Sequence, residues 1–306
     1  MMERISWIDI EKGLAIILMV IGHSALPQNL SNFIFAFHMP VFFILSGICS
    51  NYDKDNFVIF TKKRLKSIIL PFVAYSIIVL ILCTYIGVLN VESLIRHGWG
   101  GFALWFIPVF FVSSLLAKII CQHIPKSTVI LVILLALLGG VISRLSIRLP
   151  WSICSIPYSA SLIIIGNKYK TQLIRKIEHI NAVQIVILSF VVYAISYYFP
   201  LDIAWNKVSP VFLTLFAAVL GTIMLGGISK YMTKLAPKTS TIFIKIGKET
   251  YVILAFSQVL TILPNILFGW GFFANNIFMI ICITSIVVVK NNYVKKYIFK
   301  RKNEYI

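Results

Sequence analysis

The sequence predicts an all-α, polytopic membrane helix bundle of about ten transmembrane helices with both termini cytoplasmic, built as a single membrane-embedded domain over residues 1–306. Three observations carry this reading. Of the 306 residues, 59% are apolar and only 12% are Asp, Glu, Lys or Arg, against about 25% charged in an average soluble domain. Even a generous core would leave more apolar surface than a soluble monomer tolerates, so lipid must cover it. Apolar runs of about 20 residues, the length that crosses hydrocarbon as a helix, recur along the chain, and the basic residues between them fall mostly on one side.

The first run, 7–26, starts after Arg4 and is interrupted early by Asp9, Glu11 and Lys12, so it reads as a retained span rather than a cleaved signal peptide. A short connection through Pro27 leads to the second, 30–50, which makes the pair antiparallel neighbours. Five basic residues between Lys54 and Lys66 precede the third span, 68–89. An outer loop with Arg96, His97 and Trp99 leads into the fourth, 102–121, and Lys118 and Lys126 mark its inner end before the fifth, 127–147. Arg144 and Arg148 flank the outer turn to the sixth, 151–167, one of the two shortest. Four basic residues between Lys168 and Lys176 separate it from the seventh, 180–199, and the outer loop with Lys207 leads to the eighth, 208–228. Five more from Lys230 to Lys248 precede the ninth, 249–267, and the tenth, 271–289, is followed by six from Lys290 to Lys302.

With the N-terminus inside, 24 of the 28 basic residues are cytoplasmic, leaving Arg96, Arg144, Arg148 and Lys207 outside. Topology and attraction to anionic membrane lipid therefore account for the net charge of +18, and no nucleic-acid role is left for it. Cys49, Cys83, Cys121, Cys154 and Cys282 lie singly in apolar runs without metal-like or CxxC spacing, which indicates neither a disulfide framework nor a metal site.

Ionisable groups inside a membrane helix cost a few kcal/mol each by insertion scales, so they mark function. At 100° per residue Asp9, Lys12 and His23 fall within one stripe about 60° wide on the first helix, whereas Glu11 points elsewhere. Lys12 and His23 are eleven residues apart, or about 16 Å along the axis. In the second span, FIFAFHMPVFFILSG places His38 at a depth within about 6 Å of His23, and Pro40 frees a backbone carbonyl and bends the helix where a cavity is lined. A neutral imidazole partly removed from water suits a general base. No Ser-His-Asp or Cys-His spacing, Walker loop or GxGxxG turn is present.

RISWIDIEKGLAIILMVIGHS, FAFHMPVFFILSG and KKRLKSIILPF, with ALWFIPVFF and IGKETYVILAFSQ more loosely, resemble the membrane acyltransferase family 3 proteins. The branch most similar is that of fucose 4-O-acetylases and related polysaccharide O-acetyltransferases. The resemblance spans the chain and is specific over about the first 75 residues. It implies a multi-pass protein of the bacterial inner membrane that moves an acetyl group from cytoplasmic acetyl-CoA to a sugar hydroxyl of a surface glycan or its lipid-linked precursor. The family's basic residue and histidine of the first span fall on Lys12 and His23, its histidine before Met-Pro on His38, and its basic-Leu-Leu-Pro-Phe run near Arg64, Pro71 and Phe72. Two departures stand out. Lys12 replaces the usual Arg and lacks the bidentate guanidinium fork, and Phe256, Ser257 and Gln258 stand where many relatives carry a late histidine.

On this basis His23 is the expected general base, His38 orients the acceptor or stabilises the oxyanion, and Asp9 positions Lys12. Lys12 and Arg64 are expected to hold the donor's phosphates. Arg96, Trp105, Arg144 and Arg148 are expected at the acceptor, since sugars stack on Trp and pyrophosphates attract Arg. Direct transfer needs no metal. A proton-coupled small-molecule transporter is the alternative, because ten helices with intramembrane His, Asp and Lys suit one, although no paired Gly- or Pro-broken spans mark two corresponding halves.

Overall fold

The structure, a computed structural model, describes residues 6–23, 26–85, 87, 102–147, 149–271, 274 and 276–287. In chain order the helices are α1 (Ser6–Gly22), α2 (Gln28–Phe35), α3 (His38–Cys49), α4 (Phe57–Arg64) and α5 (Leu70–Tyr85). They continue with α6 (Phe106–His123), α7 (Thr128–Arg144), α8 (Ile156–Lys168), α9 (Lys170–His179) and α10 (Ala182–Tyr198). The last are α11 (Val211–Leu235), α12 (Pro237–Lys248), α13 (Thr250–Phe268) and an apolar α14 (Asn276–Val287). Among the described residues the pairing outside helices is one antiparallel bridge between Asp202 and Lys207.

Each expected span contains a helix, but their lengths divide them. Among the described residues five stretches are long and apolar enough to cross a membrane: Gln28–Cys49, Phe57–Tyr85, Ala103–His123, Val211–Leu235 and Thr250–Phe268. A sixth is added if α9 and α10, bent by 118° at their junction, count as one broken span. The junction is sharp because Asn181 and Gln184 close a capping box, Asn181 Oδ1 accepting from the Gln184 amide at 2.8 Å and Gln184 Oε1 from the Asn181 amide at 3.1 Å. At 13 residues, α8 is about 20 Å long, shorter than the hydrocarbon. It does not face lipid: nine consecutive residues from Tyr158 to Gly166 are buried between α3, α6 and α7.

Two proline effects shape the first third. Pro40 offers no N–H to the Ala36 carbonyl, and the second span is interrupted at Ala36 and Phe37 before α3 begins at His38. Pro71 likewise leaves the Ser67 carbonyl without its amide, and the chain widens into a π turn over Leu65–Ile69 with the Leu70 amide bonded to the Leu65 carbonyl. The third span is therefore longer than expected, running back through the π turn to Phe57.

α1 packs against α3, α11, α12 and α13. Close approach rests on facing glycines: a Cβ at Gly247 would overlap the Asp9 carbonyl oxygen, and one at Gly166 would overlap that of Ile44. The amphipathic α12, in a basic loop between spans, thereby lies along the first turns of α1. Large apolar side chains such as Leu70, Ile81, Val183 and Phe190 remain 62–70% exposed, as a lipid-facing belt requires.

Candidate active site

Lys12 and Arg64, separated by two helices in sequence, line one cavity of about 350 Å³. Lys12 sits on the second turn of α1 with its Nζ 3.9 Å from Asp9 Oδ1, the outer limit of an ion pair. Arg64 closes α4 just before the π turn. Its Nη2 donates to Ser50 Oγ at 3.3 Å, and its guanidinium lies 5.1 Å from the Phe60 ring centroid and 5.7 Å from that of Phe110. The π turn is pinned to α13 by Tyr251, whose hydroxyl donates to the Ile68 carbonyl at 2.7 Å.

The loop from Ser50 to Asn56 is fastened from behind. Lys118 of α6 is fully buried and donates to the carbonyls of Tyr52 and Asp55. Asn167 Nδ2 donates to the Ser50 carbonyl at 3.1 Å, and Lys63 pairs with Asp55 at 2.8 Å. Burial raises the Tyr52 phenol above its ordinary range, so it stays neutral. This cavity offers two cations and several hydroxyls, Ser50 among them, beside an apolar wall of Phe106, Phe110 and Leu254.

A second cavity, about 270 Å³, holds the histidines. His23 is the first residue past α1, its amide bonded to the Met19 carbonyl at 3.2 Å, and it is exposed rather than set well inside a span. Gly22 and the approach to Pro27 end the helix earlier than the expected residue 26. His38 opens α3 and is buried. The two rings are 6.5 Å apart and edge-on, with Phe35 5.2 Å from His23 and 5.0 Å from His38. His38 Nδ1 lies 2.9 Å from the Ile34 carbonyl oxygen. A carbonyl only accepts, so Nδ1 carries the proton and a neutral ring keeps its lone pair on Nε2.

The two cavities share their walls. On α1, Lys12 and Ile16 line the first and Met19 and His23 the second, a stripe at spacings of four, three and four residues. On α3 the division falls between Phe42 and Met39, on α13 between Leu254 and Gln258, and at the start of α6 between Phe106 and Trp105. The cavities thus lie end to end along α1, with the buried Ile16 and Met19 at the boundary.

Of the residues expected at the acceptor, Trp105 lines the histidine cavity. Arg144 does not; it is exposed at the end of α7, and its Nε donates to Ser209 Oγ at 3.2 Å. Arg96 and Arg148 lie outside the described residues. Sequence reasoning passed over Asp202, Trp205 and Ser152, which also line this cavity. The signal for Asp202 was available, an acid in a short outer loop. Ser152 carried none: it depends on two successive left-handed residues, Trp151 at φ 64° and Ser152 at φ 54°, which carry backbone strain beside the cavity. Glu11, off the stripe as expected, is fully buried against α11 near Gly226, and among the described residues neither carboxylate oxygen has a hydrogen-bond partner.

Among the described residues, an all-helical and apolar chain thus sets a cationic cavity end to end with a paired-histidine cavity. The sequence profile of the acyltransferase family 3 domain matches residues 5–289, nearly the whole chain, and the protein belongs to that family. It is a membrane acyltransferase. No curated protein and no solved structure matches the chain.

Proposed function

We propose that the protein transfers an acetyl group from acetyl-CoA, held in the Lys12 and Arg64 cavity, to a sugar hydroxyl in the histidine cavity. The observation that carries this reading is the end-to-end placement of the two cavities along α1, cations at one end and imidazoles at the other. Lys12, Arg64 and Ser50 suit the phosphates and amides of the donor, and the apolar wall suits its pantetheine arm. The charge pattern of the loops makes the Lys12 end cytoplasmic, where the donor is supplied, in a bundle of about ten spans with both termini inside. The reading sets the enzyme in a bacterial inner membrane, with a surface polysaccharide or its lipid-linked precursor as acceptor.

In this reading the base is His38 rather than the expected His23, a choice supported by the Nδ1 contact with the Ile34 carbonyl. His38 Nε2 has the lone pair, so His38 takes the proton from the acceptor hydroxyl as its oxygen bonds to the thioester carbon. His23, at the wetter mouth, uses its remaining N–H toward the developing oxyanion. The tetrahedral adduct expels the CoA thiolate, and the proton on His38 passes to that sulfur. Asp9 holds the Lys12 ammonium at the donor end.

The test uses membranes containing the protein, labelled acetyl-CoA and glycan acceptor. His38→Ala and His23→Ala are each expected to lower acetyl transfer by about 10²-fold or more, the usual worth of a positioned acid or base, at unchanged expression. Full activity in both variants refutes the assignment. Solute movement without acetylated product supports the transporter reading instead.

A further inference from the structure

The histidine cavity is closed on one side by a short tongue, Leu201 to Lys207, between α10 and α11. The tongue is held by paired amides: Asp202 N–H donates to the Lys207 carbonyl at 3.0 Å and Lys207 N–H to the Asp202 carbonyl at 2.8 Å. Its inner side is anchored. Leu201, Ile203 and Val208 are buried, and Ser155 Oγ donates to the Ile203 carbonyl. Asn206 takes the left-handed backbone at φ 49°, and its buried side-chain amide sits between the Cys154 carbonyl and the Ser143 amide, 3.2 Å from each. A loop held this way presents its other side chains without a further ordering cost.

Those other side chains are Asp202 and Trp205. Asp202 Oδ1 accepts from the Trp205 amide at 3.3 Å, and both residues line the cavity with His23, His38, Trp105 and Gln258. Among the described residues Asp202 is the one lining side chain with a formal charge, and the exposed Lys207 is the cation near it. Burial raises the Asp202 carboxyl above its ordinary range, while the Trp205 amide and Lys207 act in the other direction. Indoles that cover the apolar face of a sugar ring, with a carboxylate and an amide that bridge its hydroxyls, form a site for a glycosyl unit. A negative group lining the cavity opposes a second one.

We propose that the tongue is the acceptor-recognition element and that Asp202 makes the cavity select glycosyl units without negative charge, neutral or amine-bearing, over acidic sugars. The proposal rests on the acetyl-transfer reading above and adds the substrate class. Asp202 is a specificity-determining residue here, with Trp205 as the stacking platform.

The experiment compares methyl glycosides of a neutral hexose, an aminohexose with its amine free and a hexuronic acid as acceptors for the purified full chain with acetyl-CoA. Acetylated product is measured by mass spectrometry and released CoA thiol by colour. The wild type is expected to favour the neutral or amino acceptor over the uronide by at least about 10-fold in kcat/KM. Asp202→Asn is expected to shrink that ratio about 10-fold, Asp202→Glu to retain it, and Trp205→Ala to raise KM for every acceptor. CoA release with a wild-type preference for the uronide, or with a ratio that Asp202→Asn leaves unchanged, overturns the specificity proposal and spares acyl transfer. Absence of CoA release with all three acceptors overturns the acetyl-transfer reading, and the tongue proposal with it. If Asp202→Asn does not fold, the wild-type ratio and the Asp202→Glu variant still decide.

Discussion

Lys118→Met removes a cation that lines neither cavity and still fastens the loop beside Lys12 and Arg64. The ammonium is fully buried and bonded to two carbonyls of the Ser50 to Asn56 loop, those of Tyr52 and Asp55. Methionine keeps the side-chain length and apolar packing but leaves both carbonyls without their donor. An unsatisfied buried carbonyl costs about 1–3 kcal/mol; the loop loses that much at Tyr52 and less at the half-buried Asp55. The Lys63 and Asn167 contacts remain, so opening is expected to be local rather than global. Ser50, which accepts from Arg64, moves with the loop. The expected result is faster amide hydrogen exchange over residues 50–56 and a rise of about 10-fold in KM for acetyl-CoA, equivalent to about 1.4 kcal/mol, with a smaller change in kcat. Faster exchange with an unchanged KM would refute the link between the loop and the donor, and unchanged exchange would refute the clamp itself.

Two further outcomes follow from the same packing. Cys49 is exposed and lines the cavity with Lys12 and Arg64, so maleimide is expected to label it and inhibit transfer, and saturating acetyl-CoA to slow the labelling about 10-fold; labelling indifferent to acetyl-CoA would place the donor elsewhere. Glu11 is buried with both carboxylate oxygens unpartnered, so Glu11→Leu is expected to stabilise the protein by about 1–4 kcal/mol, read as a higher melting temperature in detergent; a lower one would show that the acid serves the fold.

The parts of the site that follow a helical repeat were legible in the sequence. Lys12 and His23 share a stripe because eleven residues make about three turns, and the cavities follow that stripe. Pro40 announced the break beside His38 for the same covalent reason that produced it. Span counting by hydropathy was less informative. It registers apolar length but not what covers it, so the short, protein-enclosed α8 read like a lipid-facing span. Hydropathy also passed over α9 and α12, amphipathic helices in the basic loops, although α12 packs along α1. The proposed acceptor side was the hardest to foresee. Arg144 was expected there because of its sign and side of the membrane, yet it bonds to Ser209. The tongue that does reach the cavity is positioned by a left-handed Asn206 and a bridge of two amides, neither of which has a periodic signature.

The central claim is that the donor's thiol end runs along α1 from Lys12 toward His23, past Met19. The most direct measurement is disulfide capture with thiopyridyl-activated CoA in a background lacking the five native cysteines. Met19→Cys is expected to form the mixed disulfide with CoA and Ile21→Cys, on the far side of the same helix, is not. Equal labelling of both positions, or capture at residue 21 alone, would contradict the account.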